Sequence, residues 1–188
     1  MKFKNKIYLD YDDVESMNMN LVHDVSKFKP DVIVGITRGG LLPALHLSHH
    51  LDRPLQTITW QTRYINKCEH DKQLQEKIDA GTRVVLVDSY HALHSSYQLD
   101  RPLQTRDVNK CEHDKKLQNL IDTGSRVVFV DDINDTGRTF SEISKAYHGA
   151  RSNVMFISLV QKLETTHTST AALTLSDDRW IVFPWEKD

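Results

Sequence analysis

The sequence predicts an α/β protein whose parallel sheet is covered by helices on both faces. Short apolar runs such as Val127–Val130 alternate with stretches whose apolar residues recur at helical spacing. The runs are continuously apolar rather than alternating, which is typical of strands buried on both faces. Two of them lead into loops that contain glycine, at Thr37–Gly40 and Asp131–Thr139. Such loops at strand ends are where sheets of this class bind ligands.

The first part of the chain has well-marked element boundaries. Asp12 or Asp13 can cap the first helix, Pro30 follows its end, and Pro43 fits the first turn of the second helix. The predicted elements are a helix over Val14–Phe28, a strand over Asp31–Ile36, a helix over Leu41–Leu51 and a strand over Leu55–Trp60.

The rest of the chain continues the alternation. Gly81 and Gly124 each follow an apolar helical pattern and are expected to end a helix. Helices are predicted over His70–Ile78, near Ala92–Leu99, near His113–Ile121 and over Arg138–His148. Strands are predicted over Arg83–Asp88, Arg126–Asp131, Val154–Val160 and Trp180–Phe183, with a short stub at Leu103–Thr105.

The chain contains part of itself twice. Ala44–Thr57 and Ala92–Thr105 are identical at 11 of 14 positions, and Asn66–Asp88 and Asn109–Asp131 at 17 of 23. The second copy lacks five residues that match Ile58–Thr62. Because there are two copies only, a tandem duplication of an α-β-α-β segment inside one domain explains them better than a repeat array.

We therefore expect one domain over residues 1–188, with duplicated segments 44–88 and 92–131, one of them an insertion. Without a 43-residue unit, 145 residues remain, a usual length for a single α/β domain. Arg83–Asp88 and Arg126–Asp131 would compete for one central strand position. We expect the second to occupy it, because it alone leads into the acidic loop. An engineered origin of the duplication and exchange of the duplicate between protomers stay open.

Composition indicates which classes of partner and which cellular compartment to expect. There are 24 Lys and Arg against 26 Asp and Glu, without a block of like charge, so neither nucleic acid nor a membrane surface is an expected partner. No apolar run approaches the roughly 20 residues of a membrane span. The start of the chain lacks the apolar stretch of a signal peptide, and two cysteines suit a reducing compartment. We expect a cytoplasmic protein.

The loop after Val127–Val130 carries the most specific chemistry. It reads Asp131-Asp132-Ile-Asn-Asp135-Thr-Gly-Arg-Thr139 and enters a predicted helix. A helix N-terminus offers free N–H groups to a phosphate, and a glycine lets the backbone approach it closely. The two adjacent carboxylates can accept from sugar hydroxyls or hold Mg²⁺. One site could thus receive a phosphate, a sugar and a metal.

This loop resembles the phosphoribosyl-pyrophosphate (PRPP) motif of the type I phosphoribosyltransferases. Gly35-Ile-Thr-Arg-Gly-Gly-Leu-Leu-Pro43 resembles the pyrophosphate loop of the bacterial xanthine–guanine enzymes of that family. Arg179-Trp-Ile-Val-Phe-Pro-Trp185 resembles the segment that covers the purine in the same group. With one copy of the repeat set aside, the resemblance runs from Asp31 to Trp185.

The resemblance implies a Rossmann-like sheet and a role for each matching residue. Thr37, Arg38 and Gly39 would bind pyrophosphate, and Asp131 and Asp132 the ribose hydroxyls, with Asp132 also on Mg²⁺. Asp135, Thr136, Gly137, Arg138 and Thr139 would bind the 5′-phosphate, with Asp135 as the catalytic acid or base near the purine. Lys162, Trp180 and Ile181 would bind the purine.

The implied activity is that of a glycosyltransferase in purine salvage. A 6-oxopurine and PRPP would give a nucleoside 5′-monophosphate and pyrophosphate, in an enzyme that works as a homo-oligomer, dimer or tetramer. Arg138 stands where the family usually has a small residue, so it could add phosphate affinity or crowd the loop. Which of Arg63, Lys67, Arg106 and Lys110 belongs to the flexible catalytic loop stays open.

Several rival interpretations remain at this point. A regulator that binds PRPP or nucleotide without turnover would use the same fold, and the duplication could have disabled the site. The paired Cys68/His70 and Cys111/His113 resemble a zinc ligand set, although duplication alone explains the pairing. His46 and His50, four residues apart, are expected on a polar helix face.

Overall fold

The fold is described from a computed structural model, which covers residues 6–60, 114–147, 152–177 and 179–186. The chain divides into two compact units, Met1–Trp60 with Arg106–Asp188, and Gln61–Thr105. All of the described residues belong to the first unit. The helices and strands predicted between His70 and Thr105 lie outside the described residues.

The described residues form seven strands and four helices. The strands are β1 Lys6–Tyr8, β2 Val32–Thr37, β3 Leu55–Thr59, β4 Val127–Asn134, β5 Val154–Lys162, β6 Thr170–Leu175 and β7 Trp180–Val182. The helices are α1 Tyr11–Phe28, α2 Leu41–Leu51, α3 Lys115–Asp122 and α4 Arg138–Ala146. α2 has the predicted bounds, and the predictions for α1, β2 and β3 are correct to within a few residues at each end.

Five strands form one parallel sheet in the order β3-β2-β4-β5-β6. β1 and β7, from opposite ends of the described chain, form a separate parallel pair in which Ile7 lies opposite Ile181. The expected parallel α/β sheet is therefore confirmed.

Helices cover both faces of the sheet, because side chains along each strand alternate between two apolar clusters. Ile33 of β2 and Val128 of β4 join α1 and α2 in one cluster. Their neighbours Val34 and Phe129 join α3 and α4 in the other. All four side chains are fully buried, as expected for strands with two covered faces.

The centre of the sheet is formed by the second copy of the repeat. β4 pairs with β2, Val32 lying opposite Val127, and with β5, Val127 lying opposite Val154. The prediction that the second-copy strand occupies the central position is confirmed. Its first-copy counterpart, Arg83–Asp88, lies outside the described residues.

Two strands were not predicted. β1 has three residues and an exposed Tyr8, and β6 is a sheet-edge strand from a segment rich in threonine and alanine. β4 also runs three residues beyond its predicted end, so that Asp131 and Asp132 lie in the strand itself. Among the described helices, none is long and apolar enough to cross a membrane.

Candidate active site

The two motif loops meet at the carboxyl edge of the sheet, because β2 and β4 are neighbours. Gly39, after β2, packs against the carboxylate of Asp132 in β4. Gly40 packs against the carbonyl of Val130 and the α-carbon of Asp131. Any side chain at Gly39 or Gly40 would overlap these atoms. The structure thus brings the predicted pyrophosphate loop and the acidic pair together.

The predicted pyrophosphate loop is held at one end and open at the other. The Thr37 hydroxyl lies 3.0 Å from that of Thr59 and 3.3 Å from the carbonyl of Ile58, which ties the loop to β3. The peptide bond between Thr37 and Arg38 is cis. Arg38 is exposed, so its guanidinium is accessible to an anion.

The N-termini of the four described helices differ in how they are capped. Asp10 caps α1 and Asp114 caps α3, each accepting backbone N–H groups with its carboxylate. The N-cap residues of α2 and α4 are Gly40 and Gly137, and neither helix has a side-chain cap at that position. The N–H of Arg138, the first residue of α4, lies 3.4 Å from the Thr136 hydroxyl. An uncapped N-terminus presents N–H donors and the positive end of the helix dipole to an anion. The two helices that follow the motif loops are the uncapped ones.

The acidic pair lies beside the N-terminus of α2, and the end of β4 leads from it to the N-terminus of α4. Burial raises the pKa of Asp132, and the negative charge of Glu186 acts in the same direction. The N–H of Ile133 donates to Asp132 Oδ1 at 2.8 Å and opposes the rise. The N–H of Asp132 donates to Asp131 Oδ1 at 3.0 Å. A cation or a hydroxyl donor would favour the ionised form of this carboxylate.

The predicted phosphate loop turns through Gly137, whose φ of 80° lies in the left-handed region that glycine tolerates. Arg138 begins α4 and donates from Nε to Glu142 Oε1 at 2.7 Å. Glu142 Oε2 accepts the indole N–H of Trp60 at 3.2 Å. The side chain of Arg138 therefore extends along α4, and it does not crowd the loop in this structure.

The residues predicted to bind the purine lie together at the same edge. Lys162 ends β5, and its Nζ donates to the carbonyls of Asp177 and Arg179 at 2.9 and 2.7 Å. These carbonyls immediately precede β7, which begins with Trp180 and Ile181. Ile181 is buried and Trp180 is partly exposed. Lys162 is thereby linked to the segment that carries the other two residues.

Sequence reasoning missed the buried Asn134 at the end of β4. Its side-chain nitrogen lies 2.7 Å from the carbonyl of His167 and 3.1 Å from Ser169 Oγ, and its oxygen accepts from Thr165 at 3.1 Å. An asparagine at a strand end was the available signal, but its hydrogen-bond partners lie 27 or more residues away in the sequence.

Other residues singled out in the sequence are not part of the site described above. Cys68, His70, Cys111 and His113, and the catalytic-loop candidates Arg63, Lys67, Arg106 and Lys110, lie outside the described residues. Within the described ranges, no group of three or more His, Cys, Asp or Glu side chains could hold a metal ion. His46 and His50 do share a face of α2, with their Nε2 atoms 3.2 Å apart.

The comparisons with known proteins agree with this architecture. The phosphoribosyl transferase domain family matches residues 5–90, a range that includes Thr37–Gly39 and ends before the acidic loop of the second copy. No curated protein matches the sequence. Purine phosphoribosyltransferase from Pyrococcus horikoshii is 27% identical with a TM-score of 0.61, covering 98% of this chain and 95% of that one.

Two more distant structures have the same fold. Xanthine-guanine-hypoxanthine phosphoribosyltransferase of Helicobacter pylori is 16% identical with a TM-score of 0.56, covering 97% of this chain and 94% of that one. A Neisseria gonorrhoeae protein solved with bound ppGpp is 19% identical with a TM-score of 0.58, covering 100% and 92%. The chain therefore has the α/β fold of the type I phosphoribosyltransferases, and residues 5–90 match their domain family.

Proposed function

We propose that the protein transfers the phosphoribosyl group of PRPP to a 6-oxopurine: xanthine, guanine or hypoxanthine. A bond forms between a ring nitrogen of the purine and C1′ of the ribose, while the bond from C1′ to pyrophosphate breaks. The products are a nucleoside 5′-monophosphate, pyrophosphate and the proton lost from the purine. The likeness to the purine enzyme of Pyrococcus horikoshii supports a purine acceptor.

One observation carries the proposal. The substrate PRPP has two anionic ends. The acidic pair lies beside the uncapped N-terminus of α2, at Gly40, and the end of β4 leads from it to the uncapped N-terminus of α4, at Gly137. The pyrophosphate would bind at Thr37, Arg38 and Gly39, where the Arg38 guanidinium adds charge-assisted donors. The 5′-phosphate would bind at the second N-terminus, within the loop Asp135-Thr-Gly-Arg-Thr139.

Asp131 and Asp132 would accept from the ribose hydroxyls between these two ends. Their oxygens also fit Mg²⁺, which is usually held by one or two carboxylates together with substrate phosphates. Asp132 is the proposed protein ligand, since its carboxylate is partly buried near the negative charge of Glu186 and a cation would stabilise its ionised form. Bound Mg²⁺ would neutralise charge on the departing pyrophosphate.

The purine would lie between the phosphate loop and the segment before β7. Asp135 would hold or remove the ring proton of the purine as general acid or base. Lys162 would donate to the 6-oxo group, Trp180 would stack on the ring, and the Ile181 backbone would contact the 2-substituent. The Lys162 hydrogen bonds to the carbonyls of Asp177 and Arg179 support this grouping.

A turnover assay tests the proposal. PRPP and Mg²⁺ are offered with xanthine, guanine, hypoxanthine or adenine, and nucleotide is measured by chromatography. We expect product with 6-oxopurines, a loss of about 100-fold or more in Asp135→Asn, and full activity in Asp24→Asn. Asp24 is a matched control because it is an exposed aspartate of α1, paired with Lys27.

The other outcomes each have a definite meaning. Product with adenine alone would overturn the assignment of the base. A thermal shift with PRPP and no turnover with any base would replace the enzyme by a PRPP-binding regulator. Neither turnover nor a shift would mean that the site is not assembled.

We further propose that residues 63–105 form an insertion in a single domain. The position of the second-copy strand β4 between β2 and β5 supports this interpretation. Deleting residues 63–105 joins Thr62 to Arg106 and is expected to give a folded, active chain. An unfolded product would contradict the proposal. Gel filtration of both chains across protein concentration tests for the expected dimer or tetramer and for exchange of the segment between protomers.

A further inference from the structure

The seven-residue connection between β5 and β6, residues 163–169, packs against the proposed phosphate loop. The N–H and hydroxyl of Thr166 both donate to the carbonyl of Thr136, at 3.1 and 2.8 Å. A Cβ built on Gly137 would lie 2.6 Å from Thr165 Oγ1 and 2.9 Å from the Thr166 nitrogen. The loop and the connection are therefore in close contact.

The connection is itself anchored on the ends of β4 and β5. Asn134 contacts Thr165, His167 and Ser169 as described above. The N–H of Ser169 donates to Gln161 Oε1 at 2.6 Å. The His167 ring packs edge-on against Phe156, with ring centroids 4.9 Å apart. A segment held at several points can act as a fixed support for the loop that it contacts.

We propose that Thr166 is a positioning residue for the 5′-phosphate site. In a planar trans peptide the carbonyl and the next N–H point in opposite directions. Holding the Thr136 carbonyl toward Thr166 therefore turns the N–H of Gly137 away from the connection. That N–H is one of the proposed phosphate donors, so the inference rests on the proposed function. Thr166 acts on phosphate through the loop and does not touch it.

The test compares three variants with the wild type. Thr166→Val removes the hydroxyl and keeps the shape of the side chain, and Thr166→Ser retains the hydroxyl. Thr168→Val is the matched control, because Thr168 is an exposed threonine of the same connection with no hydrogen-bond partner among the described residues. Steady-state kinetics with PRPP and amide hydrogen exchange of residues 136–139 in the free protein are measured.

We expect Thr166→Val to raise the KM for PRPP about three- to tenfold, the range expected for one lost hydrogen bond, with kcat changed less than twofold. Exchange of the amides of residues 136–139 should accelerate in this variant alone. Thr166→Ser and Thr168→Val should behave as wild type. This pattern would support the proposal.

Unchanged KM and unchanged exchange in Thr166→Val would overturn it. A fall in kcat together with faster exchange throughout the molecule would also overturn it, because that result indicates a general loss of stability. If the wild type neither binds nor turns over PRPP, the proposed function fails, and the exchange of residues 136–139 decides the positioning role separately.

Discussion

Gly39 and Asp132 lie in different halves of the sequence, yet a Cβ built on Gly39 would lie 2.5 Å from Asp132 Oδ1 and closer still to other atoms of that carboxylate. The contact follows from the pairing of β2 with β4, in which Gly35 lies opposite Val130. It joins the loop proposed for pyrophosphate to the carboxylate proposed for ribose and Mg²⁺.

Replacing Gly39 with alanine should therefore disrupt the site. We expect Gly39→Ala to lose about 1–3 kcal/mol of stability through overpacking, and to lose most turnover because the loop and Asp132 must separate. Gly124→Ala is the control. Gly124 has a φ of 91° and open space around it, so this variant should cost about 1 kcal/mol and keep its kcat/KM. Full activity in Gly39→Ala would contradict the contact.

The sheet could be predicted from the sequence because its central strands are continuous apolar runs. β1 and β6 could not be predicted, because β1 is an isolated strand and β6 an edge strand, with exposed or partly exposed side chains. Such strands lack the apolar runs by which buried strands are identified in a sequence. The motif residues were identified by resemblance. The sequence did not reveal the contact of Gly39 with Asp132 or the hydrogen-bond partners of Asn134. Both depend on strand register and on segments that are far apart in the chain.

Lys162 is expected to affect purine binding and the segment before β7 together. Its Nζ donates to the carbonyls of Asp177 and Arg179. Loss of a hydrogen bond from a charged side chain to a substrate costs about 1.5–3 kcal/mol. Lys162→Met should therefore raise the KM for the purine by about tenfold or more. The KM for PRPP should change much less.

The fluorescence of the three tryptophans provides a second measurement, because Trp180 immediately follows Arg179. We expect a change in Lys162→Met and none in Lys145→Met, which removes an exposed lysine near the end of α4. Equal effects of both substitutions on the purine KM would refute the role of Lys162.

Asp132 should reduce the stability of the ligand-free protein. Burial raises its pKa above the usual 3.8, so the folded state binds a proton more readily than the unfolded state. Ionisation then lowers stability as pH rises above 3.8, and the cost is present at neutral pH. We expect Asp132→Asn to melt a few degrees higher than wild type at pH 7, since about 1 kcal/mol corresponds to roughly 2–4 °C at this size.

The same variant should lose its response to ligand. Mg²⁺ with PRPP is expected to raise the melting temperature of the wild type and to leave that of Asp132→Asn nearly unchanged. Asp24→Asn, on the exposed face of α1, should respond like the wild type. A ligand-free Asp132→Asn that melts below the wild type at pH 7 would contradict the argument.

His46 should make the protein sensitive to acid. Burial of the ring, together with smaller contributions from His50 and His49, lowers the pKa of His46 from 6.5 to about 4. Its Nδ1 is buried and has no hydrogen-bond partner within the described part of the chain, so a proton there would be an unpaired buried charge. The stability that depends on neutral His46 is complete above pH 6.5 and is lost as pH falls toward 4.

Chemical denaturation at several pH values measures this loss. His46 can contribute at most about 1.4 kcal/mol per pH unit to the slope of the free energy of unfolding against pH. The partial exposure of its ring makes this contribution smaller. His46→Gln should flatten the decline between pH 6.5 and 4, whatever its effect at pH 7. His23→Gln removes an exposed histidine of α1 and should keep the wild-type slope. An unchanged slope in His46→Gln would show that other groups cause the acid sensitivity.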